Sequence, residues 1–467
     1  MNKPMANITP GIIIAGTSGD GGKTLVSLGL IAALRRMGKK VAPFKKGPDY
    51  IDAAWLGVAA DSTCYNLDLF MMASDVVCGS YVSHSVGADV AVIEGNRGLH
   101  DGLDAEGSNS SAELANLLGL PVVLVVDATK STRTLAAIVL GCKMLDPDLN
   151  LAGVILNKVA GKRHVKVATE AIEKYCNVPV VGAIPKLKDA NRIPGRHLGL
   201  LPVDEYKDLD EALELAAFAV EDNVDLEMVL KIAQQALSLE VDKPEVKPVL
   251  MQGQKPRIGV LLDGAFSFYY PDNLEALKYG GAEIVKVHSL EAQMLPDIDA
   301  LYIGGGFPET HADRLVQNES LRDSIRQAAA DGMPIYAECG GLMFLSRTLT
   351  WEGKEYPMCS VLPIDVEMHK KPQGHGYVEL IVDQENPFFK KNTKLIGHEF
   401  HYSCIKDHKS VKNSSVCGIR RGVGLGNKRE GLIINNVFAC YTHLHALSTS
   451  LWSEGMIKAA FRYSQRD

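Results

Sequence analysis

Residues 11–36, "GIIIAGTSGDGGKTLVSLGLIAALRR", limit the possible folds of this chain more than any other stretch. The apolar run "GIIIAG" does not alternate with polar residues, so it reads as a strand buried on both faces. A glycine-rich turn follows, "GTSGDGGKT", and then a segment of helical period. A strand that feeds a helix through such a turn belongs to a parallel sheet. The turn can aim several backbone N–H groups at one anion where the helix begins. Gly16, Thr17, Gly19, Gly21 and Gly22 would form the cradle. Lys23 would reach the β- and γ-phosphates of ATP, and Thr24 would hold Mg²⁺.

The same alternation continues. "DVAVIEG", "PVVLVVDA" and "LAGVILNKV" read as buried strands between amphipathic helices, which predicts an α/β fold with a parallel sheet covered on both faces. Near "LSLEVDKPEVKPVLMQGQKP" the periodicity stops and Lys and Pro accumulate. The expected organisation is an ATP-binding domain over 1–240, a linker over 241–256 and a second α/β domain over 257–467. In that second half "RIGVLLDG", "GAEIVKVHSL" and "ALYIGGGFPE" each carry a strand.

Two acidic segments follow strands of the first half. "FKKGPDYID" supplies Lys45, Lys46, Asp49 and Asp52 after the strand "KVAPF", and "VIEGNRGLHDG" supplies Glu94 and Asp101. Ligands of open parallel sheets bind at the strands' C-terminal ends. Asp49 and Glu94 are therefore expected beside Thr24 as metal ligands, with Lys46, Asp52 and Asp101 at the carboxylate to be activated. Asn157, in "LNKV", is placed to read adenine, with a plain turn role as the alternative.

In the second half, "MPIYAECGGLMFLS" puts a cysteine between a short strand and a glycine pair that opens a helix. That is the pattern of a nucleophile elbow, and the helix start is expected to favour the thiolate of Cys339. The amides of Gly305, Gly306 and Gly340 are candidates for an oxyanion hole. "YTHLH" offers His443 and His445 in alternation, so only one can face Cys339, and His443 is the expected base.

The totals fit a globular enzyme. A length of 467 residues suggests two to four domains, and 46% hydrophobic with 22% charged residues is a globular balance. A net charge of −7 argues against a nucleic-acid partner bound through phosphates. Nine cysteines with no C-x-x-C pair fit a reducing cytoplasm. No apolar run approaches the roughly 18 residues of a membrane helix, and the N-terminus does not read as a signal peptide.

The ordered blocks "PFKKGPDYID", "IEGNRGLHDG", "LAGVILNKV", "GRHLGLLP", "AFSFYYPDNLEAL", "GGGFPE", "AECGGLMFL", "GHEFHYS" and "YTHLH" together resemble the cobyrinic acid a,c-diamide synthase family over nearly the whole chain. The resemblance implies a dethiobiotin-synthetase-like N-terminal domain and a class I glutaminase-like C-terminal domain. It implies ATP- and glutamine-dependent amidation of the a and c acetates of a modified tetrapyrrole through an acyl phosphate. Cys339 would be the nucleophile, His443 its base, and no third acid is assigned. Ammonia would travel from Cys339 by a shielded path between the domains. His164 and His197 are further candidates to touch substrate carboxylates, with a surface role as the alternative. The chain departs from the family pattern at "SGDGGKT", "FKKG", "AAWLGVAA" and "EGNRG", several of which flank the expected acceptor site. These departures leave the macrocycle open between cobyrinate and sirohaem (siroamide synthase). A homodimer is neither required nor excluded. A partitioning or regulatory P-loop ATPase is the competing reading, but Ser18 stands where such ATPases carry an extra lysine. A synthetase using free ammonia is the other, and intact Cys339 and His443 oppose it.

Overall fold

The computed structural model describes residues 9–187, 208–240, 255–407 and 414–466, together with 5, 6, 195, 196, 199, 200, 203 and 206. The chain divides into two compact units, Met1–Pro244 and Glu245–Asp467. Most of the expected linker, and His197, lie outside the described residues.

The first unit is built on a seven-stranded sheet. Its order is Tyr65–Leu67, Val41–Lys46, Val90–Gly98, Gly11–Gly16, Val122–Asp127, Leu151–Val159 and Val180–Pro185. Every pairing is parallel. Ile12, Ile13 and Ile14 are 0% exposed, which explains why that strand shows no alternation: helices close both faces. The helix Lys23–Arg36 ends on Arg35 and Arg36, basic residues that suit its C-terminal dipole. Gly29 sits within it because a methyl group there would come 2.2 Å from the Ala216 carbonyl of the helix Leu209–Glu221. The bare backbone lets the two helices touch.

The second unit carries a ten-stranded mixed sheet. Five strands are parallel: Glu283–Val287, Arg257–Leu261, Ala300–Ile303, Ile335–Glu338 and Val437–Cys440. The sheet continues antiparallel through Arg429–Ile434, Ser415–Arg421, Gly374–Val382, Lys394–His401 and His443–Leu444. A separate four-stranded sheet completes it. Among the described residues, no helix is long and apolar enough to cross a membrane.

Two boundaries differ from the sequence reading, and both matter chemically. The strand expected to stop at Phe44 runs on through Lys45 and Lys46. Glu94 lies inside its strand, Val90–Gly98, rather than at its end. Charged residues extend these strands because Lys45 and Glu94 are register partners that neutralise one another across the sheet.

Candidate active sites

In the first unit the glycine-rich turn wraps the lysine it serves. The Lys23 ammonium donates to the Ser18 carbonyl at 2.8 Å and the Gly19 carbonyl at 3.4 Å. Burial lowers its pKa, against the pull of Glu94. Its aliphatic stem runs over Gly16, where a methyl group would lie 2.9 Å from it. Gly22 has φ +88°, and a methyl group there would collide with the Asn157 amide at 2.1 Å. That amide donates to the Gly21 carbonyl at 3.0 Å, and its oxygen accepts the Lys158 N–H at 2.9 Å. One amide N–H and the side-chain oxygen of Asn157 thus clamp the loop, which is the turn role that stood beside the adenine expectation. Thr17, Gly19 and Gly21 complete the turn, with open space at Gly19.

Thr24 and Glu94 do meet. The Thr24 hydroxyl donates to Glu94 Oε1 at 2.8 Å, and the same oxygen accepts from Lys45 at 2.8 Å. Lys45 also donates to Asp52 at 2.7 Å. Burial works against the charge of Lys45, but Asp52 and Glu94 outweigh it and raise its pKa. Burial raises the pKa of Glu94, with Lys45 opposing. Asp49 accepts the Asp52 N–H at 2.7 Å, and burial with the charge of Asp52 pushes its pKa up to about 7. Asp101 accepts the Gly98 N–H at 2.8 Å through one carboxylate oxygen, which places it at the turn beside Gly16. His164 is bound to the Ala160 N–H of its own loop and to the Ser131 carbonyl of another, and so ties the two loops together.

These groups suit Mg²⁺. Glu94 Oε2 is buried with no hydrogen-bond partner, next to a hydroxyl and a carboxylate of the same small cluster. No group of three or more His, Cys, Asp or Glu side chains among the described residues forms a ready-made metal cage. Mg²⁺ does not need one, because it is usually held by one or two carboxylates together with phosphates and waters.

In the second unit Cys339 has φ +48° and ψ −100°, a strained geometry for a residue with a side chain and the mark of an elbow. Its N–H is fixed by the Cys440 carbonyl at 2.7 Å. Gly341 lets the elbow pack on the sheet, since a methyl group there would lie 2.5 Å from the Ile303 carbonyl. A methyl group on Gly340 would lie 3.1 Å from Gly306 N and 3.4 Å from the Gly305 carbonyl carbon. One on Gly305 would lie 2.6 Å from His443 Cε1. The glycine loop thus has the elbow on one side and the His443 ring on the other.

The thiolate expectation needs correction. The helix after Cys339 spans only Gly340–Leu345, too short for an appreciable dipole. Burial raises the thiol pKa, and Glu309 adds to it, while the Gly340 N–H gives a smaller opposing pull. A thiol whose pKa is raised in this way has use for a nearby base.

His443 and His445 part as the alternation requires. His445 Nε2 lies 3.3 Å from Asp272, its Nδ1 accepts the Leu447 N–H, and its ring packs on Tyr270. His443 Nδ1 lies 3.4 Å from Glu338 Oε2. Glu338 is 0% exposed and accepts the Leu444 N–H at 3.2 Å and the Tyr302 hydroxyl at 3.3 Å. The sequence reading named no acid for His443. Glu338 is the residue it missed, although it directly precedes Cys339.

Comparison with known proteins agrees with both units. Residues 12–201 match the CobQ/CobB/MinD/ParA nucleotide binding domain, and residues 257–451 match the CobB/CobQ-like glutamine amidotransferase domain. A cobyrinate a,c-diamide synthase of Magnetococcus marinus is 43% identical over 449 residues, covering 95% of this chain and 96% of that one. The chain belongs to the cobyrinate a,c-diamide synthase family. Other relatives of the same name come from Archaeoglobus fulgidus, 41% identical over 97% of this chain and 98% of that one, and Dehalococcoides mccartyi, 42% over 93% and 95%. As a member of this family the chain is an amide-forming ligase with a glutamine amidotransferase domain.

Within a family of glutamine-using ligases, the two histidines should separate cleanly by mutation. His443→Ala is expected to lower glutamate release from glutamine by about 10²-fold or more, as loss of a general base does. His445→Ala should act on melting temperature through Asp272 and leave turnover within a few-fold. A glutamate-release assay with the reverse ranking would show that His445 is the base. Glu338→Gln should lie between wild type and His443→Ala, because an amide can hold the ring but not its charge.

Proposed function

We propose that the chain amidates the a and c acetate side chains of cobyrinate, using ATP and ammonia drawn from glutamine. The observation that carries this reading is the joint presence of the buried elbow with a His443–Glu338 pair and of the Lys23–Thr24–Glu94 constellation. Neither a partitioning ATPase nor an ammonia-fed synthetase has use for the first.

The chemistry follows from the groups. His443 takes the Cys339 proton as sulfur attacks the glutamine amide carbon. Glu338, on Nδ1, leaves Nε2 for the thiol and favours the imidazolium that forms. The N–H groups of Gly306 and Gly340 steady the oxyanion. The C–N bond breaks, His443 returns the proton to the departing nitrogen, and water then releases glutamate from the thioester. In the N-terminal unit a substrate carboxylate oxygen attacks the γ-phosphorus and ADP leaves. Lys23 balances charge on the transferred group. Mg²⁺, when held at Thr24, Glu94 and Asp49 with ATP, supplies further charge neutralisation at those phosphates. Lys45 keeps Asp52 and Glu94 in place. Ammonia then attacks the acyl phosphate carbon and phosphate leaves.

Glutamine-dependent ADP release, with cobyrinate and sirohaem assayed side by side, tests the proposal. Turnover with sirohaem and none with cobyrinate would move the chain to the siroamide reading. Turnover with neither would end the tetrapyrrole assignment.

Asp49 gives an independent check on the metal site. Its folded pKa of about 7 lies above that of an ordinary aspartate, so without metal its ionisation opposes folding. That stability is present below the unfolded value and is lost as pH rises toward 7. Asp49→Asn keeps an acceptor for the Asp52 N–H. Its metal-free melting temperature at pH 8 should equal or exceed that of wild type, while the Mg²⁺ concentration needed for amidation rises. A lower melting temperature with normal Mg²⁺ dependence would make Asp49 a structural residue only.

A further inference from the structure

We infer that the Lys46 ammonium and the Arg97 guanidinium together seat a second carboxylate of the substrate, one that is not being activated. The inference rests on the tetrapyrrole-amidation reading and adds to it a residue pair that selects the macrocycle.

Successive side chains of a strand point to opposite faces. Lys45 faces Glu94 and, through it, Thr24 at the phosphate loop. Lys46 is therefore turned to the other face, away from the nucleotide. It is 6% exposed, yet its ammonium makes no hydrogen bond or ion pair with any described residue. A buried, unpaired ammonium is costly, and such groups are normally paired. The nearby acids Asp68 and Glu113 favour its charge from a distance, without a hydrogen bond or ion pair to it. Asp68 accepts the N–H groups of Phe70 and Met71, and Glu113 accepts the Asn109 N–H.

Arg97 adds a second cation where an anion would be expected. Its guanidinium repels Lys46, as Lys45 does. The side chain is exposed and, among the described residues, has no hydrogen bond or ion pair. Its backbone has φ +51°, the left-handed region that favours glycine. Strain of this kind persists where the backbone must aim a side chain. Both cations lie at the C-terminal ends of adjacent strands, the edge where parallel sheets bind ligands. A directly bonded partner for these two cations has the chemistry of a carboxylate, and a polycarboxylate macrocycle carries several beyond the one that reacts.

The test uses the full-length enzyme with Lys46→Met and Arg97→Gly. Each should raise the KM for cobyrinate about 10- to 100-fold, the effect of losing a hydrogen bond to a charged group. The KM for ATP should stay within twofold. Melting temperatures should hold or rise, because Lys46→Met removes an unpaired buried charge and Arg97→Gly relieves a left-handed φ. Lys46→Arg should restore part of the affinity. A cobyrinate KM within twofold of wild type would overturn the cradle. A KM for ATP rising in step would assign the cations to phosphate and overturn it too. If wild type amidates no tetrapyrrole, the functional reading falls. The cradle is then judged by absorbance titration of cobyrinate alone, where equal affinity of wild type and variants would overturn it.

Discussion

Cys339→Ser is expected to abolish glutamine-supported amidation and to leave ammonium-supported amidation near wild type. The elbow serves only to free ammonia, and ammonium salts supply it directly. Burial raises the thiol pKa, so the step depends on His443 and on a sulfur that gives up its proton far more readily than a hydroxyl does. Loss of a nucleophile that acts as one unit with its base removes about 10³-fold or more of turnover. The substitution should fold, since serine is smaller and the elbow is held by backbone contacts: the Cys339 N–H to Cys440 and the Gly341 N–H to Gly304. Glutamate release and amide formation should be measured on one preparation. Wild-type glutamine turnover in the variant would remove Cys339 from the mechanism. Equal loss with both nitrogen sources would mean that the substitution disturbs more than ammonia release.

Lys23→Ala is expected to stop amide formation with either nitrogen source. Its ammonium is bound to loop carbonyls of Ser18 and Gly19, so it is already aimed into the cradle that the phosphates would fill. A lost charge-assisted contact costs about 1.5–3 kcal/mol. Developing charge in the transition state brings the expected fall to about 10²- to 10³-fold or more. Glutamate release from glutamine should survive, because it depends on residues of the other unit. Ammonium-supported synthesis at wild-type rates would contradict the phosphate role. The two variants form a pair: one loses a nitrogen source, the other loses activation of the carboxylate.

Much of this was legible in the sequence because its causes are local. An unbroken apolar run followed by glycines and a helical period needs no partner to be read as a strand and an anion-binding turn. The run "AECGG" shows an elbow for the same reason. The alternation in "YTHLH" already required that one histidine face away. The misreadings came where a side chain's role depends on what lies across the fold. Asn157 stands in the expected region, but no local pattern shows that its amide clamps Gly21, a neighbour 136 residues away in the chain. The thiolate expectation counted the helix start and could not count the burial around it.

The sequence by itself determined the strand–loop–helix units, the phosphate loop with Lys23 and Thr24, and the Cys339 elbow. Periodicity, glycine placement and turn chemistry act over a few residues. Tertiary structure alone decided which groups share a charge. It brought Glu338 to His443, gave Asp272 to His445, closed Lys45 between Asp52 and Glu94, and left the Lys46 ammonium with no hydrogen bond or ion pair among the described residues. Electrostatic pairing depends on distances set by the packing of segments far apart in the chain, and no local pattern encodes those distances.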